Sequence, residues 1–287
     1  MKHKAILGTA IAAALLLGAQ AASACAISAW TGVGAGLTVA DTGNPTTGFK
    51  RYSGSCSLRV ANAATPRFVV DPTPAGETRY SMRVYYFTGN ITGATADIFQ
   101  ARNAGGTNII RVTHDGNQLS ISTTSGTPAN IVVQDNRYYA IELAWAAAAG
   151  TGSLTGTVKG AGSAVAVGTI NIANLNNAAD VIDEARLGII VGAPTVTNAV
   201  FFDEFDSRRT TNPGRLCRGD ASGAGGLPDG AINVTDIGAM VPEILAPLNV
   251  AVLTKGQPDA NEDGAVNVTD IGVLVPLILA NTLCSAT

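Results

Sequence analysis

Asp259, Asn261, Asp263, Asn267 and Asp270 place oxygen-bearing side chains at positions 1, 3, 5, 9 and 12 of one loop, with Gly264 at position 6. A hard cation such as calcium takes roughly six to eight oxygen ligands. This spacing brings three side chains, the backbone carbonyl of Ala265 and a closing carboxylate around one point, and glycine permits the sharp turn between them. Asp270 stands where a longer Glu is usual, so the helix after the loop must sit closer to the ion. The bland reading of the same residues is an acidic turn ahead of a helix.

The chemistry is offered twice. The stretch 229–246 matches 263–280 at an offset of 34, with 14 of 18 positions identical, which marks a duplicated unit. In the first copy Asp229, Gly230, Ala231, Asn233 and Asp236 fall at positions 5, 6, 7, 9 and 12. Asp220 and Ser222 are the best candidates for positions 1 and 3, with an insert beginning at Gly223 between them and Asp229. The insert either bulges out and leaves a weaker site or abolishes it. Arg218-Gly219-Asp220 also spells an adhesion tripeptide, a weak signal beside the cation role for Asp220.

Other chemistries find little support. The chain has two histidines, His3 and His114. Once a leader is removed, His114 is the only base left for a serine or cysteine nucleophile, and no Gly-x-Ser-x-Gly elbow accompanies it. Its place in a predicted turn with Asp115 reads as a surface histidine. Glu204 and Asp206, two apart on one strand, share a face and could lie about 5.5 Å apart like the carboxylates of a retaining glycosidase. Asp203 would then point the other way. Capping of an edge strand, or a structural cation, is the favoured role for these acids, so the chain leans away from being an enzyme.

The elements that would position these groups divide the chain. Lys2 and Lys4 precede an apolar run to Ala19 and a small-residue site at Ala22-Ser23-Ala24, the pattern of a cleaved export signal over 1–24. The net charge of −3 becomes −5 without those lysines, too acidic for a nucleic-acid surface. No other run is apolar enough to span a membrane, so the expected location is secreted or cell-surface. Cys25 at the mature terminus allows a lipid anchor as a rival. An even set of Cys25, Cys56, Cys217 and Cys284 reads as disulfides in an exported chain. Three pairings are possible, and the positions favour Cys25–Cys56 with Cys217–Cys284.

Residues 25–209 read as strands. Tyr80, Met82, Val84 and Tyr86 alternate onto one face, and Ile110, Val112, Leu119 and Ile121 flank the turn His114-Asp115-Gly116-Asn117 as a hairpin. Further strands are predicted over 67–70, 131–133, 139–145, 154–158, 185–191 and 199–206. This pattern, with no convincing helix, predicts a mainly β module, an antiparallel sandwich. Trp30, Tyr52, Tyr85, Tyr86, Tyr138, Tyr139 and Trp145 are candidate sugar-stacking residues, though most belong to a core. A turn-rich linker covers 210–216. Residues 217–287 then hold two basic and eight acidic side chains.

Two Asp-x-Asn-x-Asp-Gly-x-x-Asn-x-x-Asp-type loops, each followed by one apolar helix, resemble a type I dockerin. The resemblance implies a small α-helical pair of calcium loop–helix repeats that docks on a cohesin, often beside enzymes of polysaccharide breakdown. It places Val234, Thr235, Val268 and Thr269 at the partner-contacting positions, related by an internal two-fold. Pro242 and Pro276 depart from the pattern, since proline inside a helix removes a hydrogen bond. The basic residues that family often carries are also missing. A calcium-stiffened structural tail with no cohesin is therefore a further alternative. The body more loosely resembles a concanavalin-like or laminin-G-like jelly roll, through the stretch 200–207 and Cys56-Ser-Leu-Arg-Val60. That resemblance implies a carbohydrate-binding or adhesion module, with O-glycosyl hydrolysis as the rival.

Overall fold

The computed structural model describes residues 30–33, 37–41, 50–54, 56–160, 166–222, 229–246, 252, 254, 256–261, 263 and 265–280. The expected export signal, Cys25, Gly264, Cys284 and the insert at 223–228 lie outside the described residues. The first strands are β1 (Thr31–Val33), β2 (Leu37–Asp41), β3 (Cys56–Val60), β4 (Arg67–Asp71), β5 (Arg79–Phe87) and β6 (Asn90–Thr92). There follow β7 (Ala96–Arg102), β8 (Asn108–Asp115), β9 (Gln118–Thr123), β10 (Ala129–Val132) and β11 (Tyr138–Ala146). The series closes with β12 (Gly152–Gly160), β13 (Ala166–Leu175), β14 (Glu184–Val191), β15 (Thr195–Thr197) and β16 (Val200–Arg208). Helices α1 (Val234–Leu245) and α2 (Val268–Leu279) come last.

Fourteen of these strands form two seven-stranded sheets, ordered β1-β4-β14-β7-β8-β9-β10 and β13-β12-β11-β5-β16-β3-β2. All described pairings are antiparallel. The protein is mainly β, as the alternation predicts. Tyr80, Met82, Val84 and Tyr86 do share the inner face of β5, packed with Phe99, Ile110, Val112, Ile141 and Leu143 in one core. Full burial of such a side chain contributes roughly 1.5–3 kcal/mol. The β8–β9 hairpin closes on Gly116 and Asn117, with Gly116 at φ +56° in the first central position, where only glycine is unstrained.

β7 and β13 were not among the predicted strands, for identifiable reasons. β7 interrupts its apolar pattern with Asp97 and Gln100, both buried, and Arg111 of β8 pairs with Asp97 at 2.6 and 2.7 Å. β13 buries Ile170, Ile172 and Leu175 but carries Gly168, Asn171 and Asn174, which read as turn residues.

The outer face of the second sheet also carries a buried aromatic layer. Tyr85, Phe87, Tyr138 and Phe201 cluster there with Tyr52. Tyr52 stacks on Tyr85 at 3.5 Å between centroids and meets Tyr138 edge-on at 5.4 Å. Residues 50–54 and Leu216 lie over this layer. The expected linker is bonded to the same sheet: Arg83 donates to the Gly214 carbonyl (2.7 Å), Gly214 N–H to Glu142 (2.9 Å) and Leu216 N–H to the Tyr85 hydroxyl (2.8 Å).

The two helices run past Pro242 and Pro276 and stop three residues later, where Ala246 and Ala280 donate to the proline carbonyls at 3.0 Å. They pack around a small core of Ala221, Ile232, Met240 and Leu274.

Candidate functional site

The two tail loops are built alike. In the second, Asp263 N–H donates to Asp259 Oδ1 (3.0 Å) and Asn261 Oδ1 (2.9 Å), and Ala265 N–H donates to Asp263 Oδ1 (2.9 Å). Asp270 accepts from Asn261 N–H (3.1 Å) and Asn267 N–H (2.8 Å). In the first, Asp229 N–H donates to Asp220 Oδ1 (3.1 Å) and Ala231 N–H to Asp229 Oδ1 (2.9 Å). Asp236 accepts from Ala221 N–H (2.9 Å), Ser222 N–H (3.0 Å) and Asn233 N–H (2.8 Å). Asp220, Ser222, Asp229 and Asp236 therefore hold the places of Asp259, Asn261, Asp263 and Asp270 although the first loop carries the insert. Gly230 has φ +82°, the left-handed turn that position 6 calls for.

Asn233 and Asn267 each cap a helix, accepting from the Thr235 and Thr269 N–H groups at 2.8 and 2.9 Å. Asp236 and Asp270 complete capping boxes three residues on. Burial holds the Asp220 and Asp270 carboxyls above the usual carboxylate range; backbone N–H donors oppose it and neighbouring acids add to it. No described lysine or arginine pairs with Asp220, Asp236 or Asp270. Among the described residues no group of three or more His, Cys, Asp or Glu side chains gathers as a metal centre. The donor set is all oxygen, which suits a hard cation with mixed side-chain, backbone and water ligands. Val234, Thr235, Val268 and Thr269 are all exposed. Val241 and Leu245 repeat on α1 the exposed places of Val275 and Leu279 on α2.

One structural contact escaped the sequence reading. Glu243 of α1 is buried and paired with Arg51, also buried, and accepts from Thr254 N–H at 2.8 Å. The Ser53 hydroxyl and the Gly54 N–H both donate to the Gly256 carbonyl at 3.1 Å, at the entrance to the second loop. The tail is thus held against the body through residues 51–54. A signal was present: the second copy of the repeat has Leu277 where the first has Glu243.

In the body, the alternation expected at 203–206 is broken. Asp203 lies opposite Tyr85 and Asp206 opposite Arg83, with a bulge between them that puts Glu204 at φ +50°. Asp203 and Asp206 consequently share a face of the strand, contrary to the expected Glu204–Asp206 pair. Asp203 is buried and accepts from the N–H groups of Tyr52 (2.6 Å), Ser53 (3.1 Å) and Glu204 (2.8 Å). Burial, with Glu204 beside it, pushes its carboxyl up to about 8 against those donors. Asp206 pairs with Arg208 at 2.9 Å. Glu204 borders a cleft of about 260 Å³ with Trp30 and Phe205, whose rings meet edge-on at 4.9 Å. Glu204 also pairs with Arg83 at 3.8 Å, so all three carboxylates are engaged within the chain.

His114 is a correction. It is fully buried, not on the surface. Its Nε2–H donates to the Gly116 carbonyl at 2.8 Å, so Nδ1 accepts from the Tyr86 hydroxyl at 2.7 Å. Burial pushes its pKa down to about 4. The candidate stacking aromatics are buried as well, apart from the half-buried Trp30. Cys56 and Cys217 are disulfide-bonded. Among the described residues no helix is long and apolar enough to cross a membrane.

No family model matches the chain, and no curated protein matches it. A solved structure titled "Cellulose induced protein, Cip1" is similar at TM-score 0.44 and 16% identity, over 65% of this chain and 94% of that one. The binding domain of botulinum neurotoxin DC, in complex with SialylT, gives 0.40 and 10% over 62% of this chain and 42% of that one. A mutant of Trypanosoma rangeli sialidase displaying trans-sialidase activity gives 0.36 and 14% over 66% and 32%. At these values the likenesses assign neither family nor ligand.

Proposed function

We propose that this is an exported, non-catalytic carbohydrate-binding or adhesion protein whose tail binds calcium and attaches it to a protein partner. The observation that carries the reading is the shared hydrogen-bond pattern of the two loops, which keeps Asp220, Ser222, Asp229 and Asp236 in register with Asp259, Asn261, Asp263 and Asp270 across the insert. In the second loop Asp259, Asn261, Asp263 and Asp270 would supply carboxylate and amide oxygens, the Ala265 carbonyl another, and Asn267 a contact through water. In the first, Asp220, Ser222, Asp229, Ala231, Asn233 and Asp236 would do the same around a weaker site. Calcium neutralises carboxylates that otherwise repel one another, so binding also orders the tail.

The partner surface would be the exposed Val234-Thr235 and Val268-Thr269 pairs, read as a dockerin-like face toward a cohesin-like protein. Both copies are exposed while α1 is held to the body by Glu243, so either could dock. The non-catalytic reading is supported by the engagement of Asp203 with backbone donors and of Asp206 with Arg208.

Calcium titration of the full chain, followed by isothermal calorimetry, tests the tail. Asp263→Ala should weaken the tighter site at least tenfold, and an unchanged titration would remove the assignment.

A further inference from the structure

We infer that a polar trough on the outer face of the second sheet is a glycan subsite that works by hydrogen bonding rather than by aromatic stacking. The inference rests on the carbohydrate reading above and gives it a location. The trough, of about 220 Å³, runs over β11 and β12 beside the strap at Asn212. Its floor is the methyl group of Ala144 and the backbone at Gly156, so a ligand can lie close to the sheet.

The walls are chemically mixed. Thr155, Thr157 and Lys159 alternate onto this face of β12, opposite Ala144, Glu142 and Ala140. Among the described residues the Thr157 hydroxyl and the Lys159 ammonium have no hydrogen-bond or ion-pair partner. Asn212 takes the Ser81 hydroxyl on Oδ1 at 3.0 Å, which leaves its NH₂ group free to donate. Glu142 takes the Gly214 N–H on Oε1 at 2.9 Å and keeps Oε2 as an acceptor.

One ammonium and one carboxylate give the trough no net charge, which disfavours an anion or a cation as occupant. The lining mixes the methyl and methylene groups of Ala144, Thr155, Thr157 and Lys159 with unpartnered polar groups, which suits an occupant that is itself amphipathic, as a sugar ring is, over a purely apolar one. A neutral chain whose hydroxyls each donate and accept meets all of these groups. The volume is below the roughly 300–1,000 Å³ typical of enclosed small-molecule sites, as expected where one or two sugar units of a longer chain are held. Among the described residues the half-buried Trp30 and Phe205 are partly exposed rings, and both border the other cleft, so hydrogen bonding is the mode this trough offers.

The test is affinity electrophoresis of the full chain, with calcium, in gels containing xylan, mixed-linkage β-glucan or galactomannan. Thr157→Val keeps the strand's shape and removes the hydroxyl; Lys159→Met removes the charge. The two together should weaken retention by one polysaccharide at least fivefold, with an unchanged melting temperature as the control for folding. Retention that survives the double variant but is lost in Trp30→Ala would overturn the trough and keep the carbohydrate reading, at the other cleft. Retention untouched by any of these variants would also overturn the trough. Absence of retention by all three polysaccharides would overturn both.

Discussion

The sandwich and the tail are stabilised in opposite ways. The sandwich buries a continuous apolar core between its sheets, and its charged residues mostly close loops and edges. The tail has four residues in its buried core and relies on Asp and Asn oxygens that gather backbone N–H groups. A sheet with a thick core folds on hydrophobic burial alone, whereas a short two-helix unit needs another source of order. One source is the body itself, through residues 51–54, and the cation we propose for each loop would be a second. The tail is therefore the part whose order is conditional.

The largest way to break this contrast is to cut the tail from the body. Arg51→Ala leaves Glu243 buried without its ion-pair partner, which costs about 3–5 kcal/mol. Amide exchange in α1 and α2 should rise steeply while β5 and β11 keep their protection. Equal loss of protection in both regions would mean that the sandwich also depends on the tail.

A pH series addresses the sandwich. His114 is neutral when folded, with a pKa lowered from about 6.5 to about 4. Its contribution is fully present above pH ~6.5 and is lost as pH falls toward 4, about 3 kcal/mol in all. Asp203 runs the other way: its raised pKa makes the fold gain less as pH climbs from about 4 to about 8. Comparing the full chain with His114→Gln separates the two. Between pH 4 and 6.5 the two groups offset one another in the parent, so denaturant midpoints should fall more with rising pH in the variant than in the parent; parallel slopes would show that His114 does not titrate on unfolding.

The smallest effect sharpens the comparison of the two loops. With calcium chelated, Asn233→Ala and Asn267→Ala should each cost about 1 kcal/mol as lost helix caps, read as a fall in helical circular dichroism on heating. Unequal losses would show that the insert has weakened the first cap.

Much of the architecture was legible along the chain. The alternation of β5 requires one face inward, and the duplication at an offset of 34 announces two loop–helix units without any coordinates. The bulge at Glu204 was not legible, because a period of two holds only while the partner strand advances at the same rate. His114 looked exposed beside Asp115 and Gly116, yet the strand continues through it and the Tyr86 hydroxyl waits across the core. The outer aromatic layer read as ordinary alternation until residues 50–54 folded over it.

By itself the sequence determined what is local and periodic: the strand faces, the oxygen spacing of the loops, the helix caps. Each depends on neighbours within a few residues, whose geometry the backbone repeats. The tertiary structure alone decided which face of the second sheet was covered, that Glu243 would meet Arg51, and that the half-buried Thr157 and Lys159 would line a trough. Those outcomes depend on groups far apart in the chain, and no spacing along it encodes which distant surface arrives.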